Sequence, residues 1–172
     1  TEGDGTTASE RASHAEGNHT TARGLQSHAE GAFTTASGNS SHAEGRYTTA
    51  SGFYSHVEGD GTTASGTNSH TEGRETIANH LNQHVFGEFN ELDPSTAPSS
   101  ARGTYVEIVG NGSYNTTRSN ARTLDWSGNE NIAGMLRIGS SAPTGGCLLK
   151  VDGTSLKISF NNGTTWLTVS AS

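Results

Sequence analysis

SHAEGAFTTASGNS, from Ser27 to Ser40, is followed without a break by SHAEGRYTTASGFY, from Ser41 to Tyr54. Working outward, SHAEGNHTTARGLQ precedes the pair from Ser13, and SHVEGDGTTASGTN from Ser55 and SHTEGRETIANHLN from Ser69 follow it. The period is 14 residues, with no insertion. His14, His28, His42, His56, His70 and His84 hold the second position of the repeat. Glu2, Glu16, Glu30, Glu44, Glu58 and Glu72 hold the fourth, and a glycine such as Gly17 or Gly31 holds the fifth. Polar residues that recur at fixed positions mark a stacked repeat architecture rather than disorder. Thr1 enters partway through a repeat, so the natural chain is expected to continue upstream.

Each period accommodates two short extended segments: Ser-His-Ala-Glu ending at a Gly, and Thr-Thr-Ala-Ser ending at Gly24, Gly38, Gly52 or Gly66. Both sets of glycines are expected to supply the positive φ of tight turns. Two strands and two turns in 14 residues form about the smallest closed rung of a parallel β-solenoid, with rungs about 4.8 Å apart. Helix is excluded, because a Gly or a β-branched Thr falls in every turn and no apolar stripe has 3.6 spacing. Side chains alternate across a strand. Arg23 at position 11 must face solvent, so position 10 (Ala22, Ala36, Ala50, Ala64, Ala78) points inward. By the same alternation Ala15, Ala29, Ala43 and Val57 line the interior from the first strand, and His and Glu project from its other face.

Composition agrees with a narrow roll. Of 172 residues only 29% are hydrophobic and 6% aromatic, too few for an ordinary globular core. A rung lined by Ala and Thr gains about 1–2 kcal/mol at about 25 cal/mol per Å². Isolated rolls should therefore be marginal, with the missing burial supplied by association. A ladder of His and Glu on one outer face suits contact between copies, and three chains about an axis would set imidazoles against carboxylates as charge-assisted hydrogen bonds. If Glu raises the pKa of its His, stability is greatest in mildly acidic solution; crowded imidazoles would oppose this. With 17 acidic against 10 basic residues, nucleic acid is not an expected partner. No apolar run reaches the roughly 20 residues that cross a bilayer, and the single Cys147 makes no internal disulfide.

The SHAEG…TTASG repeat, from Thr1 to about Gly87, resembles the head repeat of trimeric autotransporter adhesins, the YadA-like heads. That resemblance implies an all-β, trimeric, left-handed parallel β-roll. The family has Val and Ile where this chain has His and Glu, which makes the implied interface polar. The His-Ala-Glu-Gly version resembles tail proteins of phages and prophages of Gram-positive bacteria.

After His84 the repeat decays into Asp93-Pro94-Ser95-Thr96-Ala97-Pro98-Ser99-Ser100, read as a linker over 93–100 between a shaft over 1–92 and a β-rich trimerising or tip module over 101–172. Strands are expected at Thr104–Val109, Ala121–Trp126, Met135–Ile138, Leu148–Val151, Leu156–Phe160 and Trp166–Val169, separated by turns such as Asp152-Gly153 and Asn161-Asn162-Gly163. Trp126 and Trp166 are candidate anchors of a small core. Gly103 to Gly134 resembles a module of phage tail-fibre and baseplate-associated proteins.

The in-register histidines invite a metal ladder. A structural network of His14, Glu16, His28, Glu30, His42, Glu44, His56, Glu58, His70 and Glu72 is the preferred reading, since each His has a Glu two residues on. Accordingly no metal or other cofactor is assigned, with captured zinc or nickel as the alternative. Catalysis is not expected: a Glu every 14 residues gives a uniform row without a unique carboxylate pair, and Asp125, Glu130 and Asp152 read as turn acids. His19, Phe33 and Tyr47, at position 7 of successive rungs, would stack on one turn, with Phe53 and Tyr54 on the other. Such rings suit either sugar stacking or mutual packing. The chain is thus expected to be a structural and binding segment of a homotrimeric phage tail fibre that meets a host-surface glycan or protein, in the virion tail or at a cell surface. A bacterial surface adhesin and the non-catalytic part of a polysaccharide-degrading tailspike are the alternatives.

Overall fold

A computed structural model describes residues 1–134, 136–138, 147–152, 155–159, 165 and 167–169. Among these every regular element is a strand, and the chain divides into two compact units, Thr1–Asn131 and Ile132–Ser172.

The first unit is a parallel β-solenoid of about six turns. Its first sheet stacks Glu2–Asp4, His14–Asn18, His28–Ala32, His42–Ala43, His56–Val57, His70–Thr71 and His84–Glu88. Its second stacks Thr7–Ala8, Thr21–Ala22, Thr35–Ala36, Thr49–Ala50, Thr63–Ala64 and Ile77–Ala78. Register is one repeat per rung throughout, with His14 beside His28, His28 beside His42 and Ala36 beside Ala50. The interior is as narrow as the alternation implies: Ala15, Ala29, Ala43 and Val57 from one sheet and Ala22, Ala36, Ala50 and Ala64 from the other have no exposed surface. Thr20, Thr34, Thr48 and Thr62 at position 8 are equally buried. Ser27, Ser41, Ser55 and Ser69 at position 1 are buried too, and each donates its hydroxyl to the glycine carbonyl three residues back, as in Ser41 to Gly38 at 2.7 Å.

The turns differ from the expectation in one respect. Gly31 at position 5 has φ +105° and is a left-handed turn glycine. Gly38 at position 12 does not have a positive φ; a Cβ there would collide with the carbonyl of Gly52 in the next rung, so close stacking is what excludes a side chain. The left-handed corners fall instead on non-glycine residues, including Phe33 (57°), Tyr47 (55°) and Tyr54 (58°). An L-residue in this region costs roughly 1–2 kcal/mol. Each corner N–H compensates by donating to the neighbouring rung: Phe33 to the Asn18 carbonyl at 2.8 Å, Tyr47 to Ala32 at 2.9 Å and Tyr54 to Asn39 at 2.9 Å.

The solenoid sheet does not stop at the Pro- and Ser-rich segment. Tyr105–Asn111 lies parallel to His84–Glu88, with His84 beside Glu107 and Gly87 beside Gly110. Asn120–Asp125 then pairs antiparallel with it, and Glu130–Ile132, a strand the sequence did not suggest, comes next in order. Residues 93–100, read as a linker, lie inside the compact unit. Asp93 fastens them: its buried carboxylate accepts from Ser95 N (2.9 Å), Thr104 N (3.0 Å), Tyr105 N (2.7 Å) and Gln83 Nε2 (3.1 Å). Burial raises the Asp93 pKa, but the three backbone donors outweigh it and hold the carboxyl below its ordinary value. Asn90 ends the second sheet by accepting from Ile77 N (2.8 Å) and donating to the Ile77 carbonyl (3.2 Å), so a side-chain amide occupies the place of the next strand.

In the second unit Leu136–Ile138, Cys147–Asp152, Ser155–Ser159 and Leu167–Val169 form an antiparallel sheet in that order. The expectations for Met135, Phe160, Trp166, the Gly153 turn position and the 161–163 turn lie outside the described residues.

Candidate functional site

The solenoid register brings the repeat histidines into one column. Ring centroids from His14 through His84 are 4.8–5.0 Å apart, and the planes of His28, His42 and His56 are within 1° of parallel. Phe86 closes the column, tilted against His84 at 5.2 Å. The glutamates run beside it, with Glu2, Glu16, Glu30 and Glu44 lining an open groove over the position-5 glycines.

Pairing within the ladder changes register. His14 and His28 lie 3.9 and 3.7 Å from Glu16 and Glu30 of their own rungs. His56, His70 and His84 instead lie 3.5, 3.8 and 3.8 Å from Glu44, Glu58 and Glu72 of the rung before. His42 falls at the change and makes no ion pair among the described residues. The Nε2 atoms of His28, His42, His56, His70 and His84 are shielded from solvent and have no hydrogen-bond partner among the described residues. Within one chain the network is thus electrostatic and stacked, with His–Glu distances of 3.5–3.9 Å.

Within one chain, burial and crowding favour the neutral form of His42 and His70. Burial, followed by the flanking imidazoles of His56 and His28, lowers the pKa of His42 below its ordinary value against the opposing pull of Glu30 and Glu58. Burial and then His56 and His84 do the same to His70. Crowding arises between rungs of one chain at stacking distance, so it acts without any second chain. For Glu58, burial raises the pKa, but hydrogen bonds shared with Glu72 and Glu44 and the nearby His56 and His70 hold it below the ordinary value.

A second column lies on the turn between the two strands. His19 stacks on Phe33 at 5.2 Å and Phe33 on Tyr47 at 5.1 Å, with Phe33 46% and Tyr47 54% exposed. The column stops at Gly61, where the repeat has no ring. Arg46 lies 5.3 Å over Tyr47 and is held by Asp60 at 2.7 Å. Phe53 and Tyr54 are exposed on the other turn and make no ring contact with this column.

The acids of the later segment have structural duties. Asp125 accepts from Ser127 N (2.8 Å), Asn129 N (2.9 Å) and Asn129 Nδ2 (2.8 Å), and these bonds, led by the Asn129 side chain, hold its pKa low. Glu130 pairs with Arg122 at 2.9 Å, and Arg122 also bonds Glu107. The side chain of Asp152 lies outside the described residues. Trp126 is half-buried under Arg102, whose guanidinium lies 4.4 Å from the ring centroid.

Sequence reasoning missed His80, which replaces glycine at position 12. It is 2% exposed, with Nε2 4.0 Å from the Asp93 carboxylate and neither ring nitrogen hydrogen-bonded. The break in the glycine column was the available signal.

Comparison with protein families, with curated proteins and with solved structures gives no match for this chain.

Proposed function

We propose that this chain is a segment of a homotrimeric fibre, a β-roll shaft followed by a β-rich trimerising or tip module, serving host attachment in a phage tail or related surface appendage. The ladder face carries the reading. Five imidazole Nε2 atoms in a row are shielded yet lack partners, and buried polar atoms are normally satisfied. Groups from neighbouring copies would complete them, and a solenoid whose interior is alanine and threonine stands to gain from that burial. The resemblance of the repeat to YadA-like heads, and of His-Ala-Glu-Gly to Gram-positive phage tail proteins, supports three chains and a virion location. The role is structural and adhesive rather than catalytic. Among the described residues, Glu2, Glu16, Glu30 and Glu44 form a uniform row, Asp125 is engaged in a turn and Glu130 in an ion pair.

The exposed column of His19, Phe33 and Tyr47 is the surface offered to a host glycan, with rings at rung spacing for sugar faces. Cosedimentation of the labelled chain with Gram-positive host cells tests the reading. Binding should fall when the three rings are changed to Ala while the assembly stays intact. No association with cells by the parent chain would contradict it.

A further inference from the structure

The change of pairing register leaves His42 without a carboxylate partner and places it beside a His–Glu pair already formed. We propose that His28, Glu30 and His42 form a site for a divalent transition-metal ion, Zn²⁺ in particular, bound between two adjacent rungs of the ladder. One ligand atom from each residue lies within 4.8 Å of the others. The Nε2 atoms of both histidines are shielded and carry no hydrogen bond, so metal binding breaks none that they now make. Two imidazoles and a carboxylate are a donor set that zinc accepts, leaving a fourth tetrahedral position to water.

Geometry sets one requirement. A tetrahedral ion with bonds of about 2.0–2.1 Å needs its donors about 3.3 Å apart. All three side chains are half-buried rather than enclosed, and the parallel rings of His28 and His42, 4.8 Å apart, must tilt toward each other to bring their donors onto one ion. The other cluster of this kind, Glu58, His70 and Glu72, offers one imidazole and two carboxylates. His70 already pairs with Glu58 at 3.8 Å, and zinc binds less well where imidazole is replaced by carboxylate. Both clusters draw on the second and fourth repeat positions of adjacent rungs and differ in this respect, so the second is an internal control.

The inference rests on the solenoid register, and in the proposed trimer the ion would take the place of neighbouring-copy groups at the Nε2 atoms of His28 and His42. Equilibrium dialysis of the full chain against Zn²⁺, with Co²⁺ absorption as a spectroscopic report of nitrogen ligation, provides the test. One tight equivalent per chain is expected. His42→Gln and Glu30→Gln should each weaken it by about tenfold or more, while His70→Gln leaves it within about twofold. Far-ultraviolet circular dichroism verifies the fold of each variant, and Glu30→Gln keeps the test alive if His42→Gln does not fold. Absence of tight binding by the parent would overturn the proposal. So would equal loss in the His42 and His70 variants, which would mean diffuse capture along the whole ladder.

Discussion

His56 Nε2 lies 3.5 Å from Oε1 of Glu44, the carboxylate of the preceding rung, and no ion pair joins it to Glu58 of its own. Stacking accounts for the ambiguity. With imidazoles at 4.8–5.0 Å along the column, a glutamate between two rungs can serve either neighbour, and one histidine is left over where the choice changes. The same spacing makes each imidazolium repel the next, which adds to burial in lowering the pKa values of His42 and His70.

Stability should fall on the acid side of neutrality. The folded pKa values of His42 and His70 lie below the unfolded value of about 6.5, so between the two values the unfolded chain binds more protons. Their contribution is complete above about pH 6.5 and is lost as pH falls toward the lowered folded values. Melting temperature in chelator-containing buffer should decline from pH 7 to pH 5, and His42→Gln should flatten the slope. A maximum in mildly acidic solution would restore the opposite view, that glutamate dominates.

Gly38→Ala should destabilise although the φ of Gly38 is not left-handed, because the added methyl meets the Gly52 carbonyl. The strain is expected to be about 1–3 kcal/mol, as for overpacking of a well-packed interior. Ser37→Ala, one residue earlier and exposed, should change stability by less than about 0.5 kcal/mol. Denaturant unfolding compares the two.

Tyr54→Asn should stabilise by up to about 1 kcal/mol, since Asn tolerates a left-handed corner better than Tyr does. Asn68 and Asn82 already occupy the equivalent corner with φ of 53° and 56°. The same variant separates stability from recognition: a gain in melting temperature with reduced cell binding would identify Tyr54 as a contact residue.

Asp93→Asn should cost about 3–5 kcal/mol, the range for removing one partner of a buried charged network. The amide keeps one acceptor oxygen and turns its NH₂ toward donors such as Tyr105 N and Gln83 Nε2. Thermal unfolding of the variant reads this directly.

The repeat made most of this architecture legible. A strict 14-residue recurrence fixes which residues are neighbours across rungs, and Arg23 at a variable position is enough to orient Ala22 inward and, by alternation, His28 outward. Periodicity could not show which of two neighbouring glutamates a histidine chooses, as with His56 and Glu44, because that choice lies in rotamers. Nor could it show that Phe33 and Tyr47 turn left-handed, since the rung-to-rung hydrogen bonds that favour those corners exist only once rungs stack. The 93–100 segment was opaque for a related reason. Its composition is that of a linker, while one buried carboxylate, Asp93, gathers donors up to 12 residues away.

Sedimentation equilibrium of the purified chain across micromolar concentrations tests the central claim most directly. The account predicts a single folded species of three times the 17.8 kDa chain mass, with unfolding dependent on concentration and no folded monomer at any dilution. A stable, folded species at 17.8 kDa would contradict it, since the ladder face would then be a surface that the solenoid leaves to water.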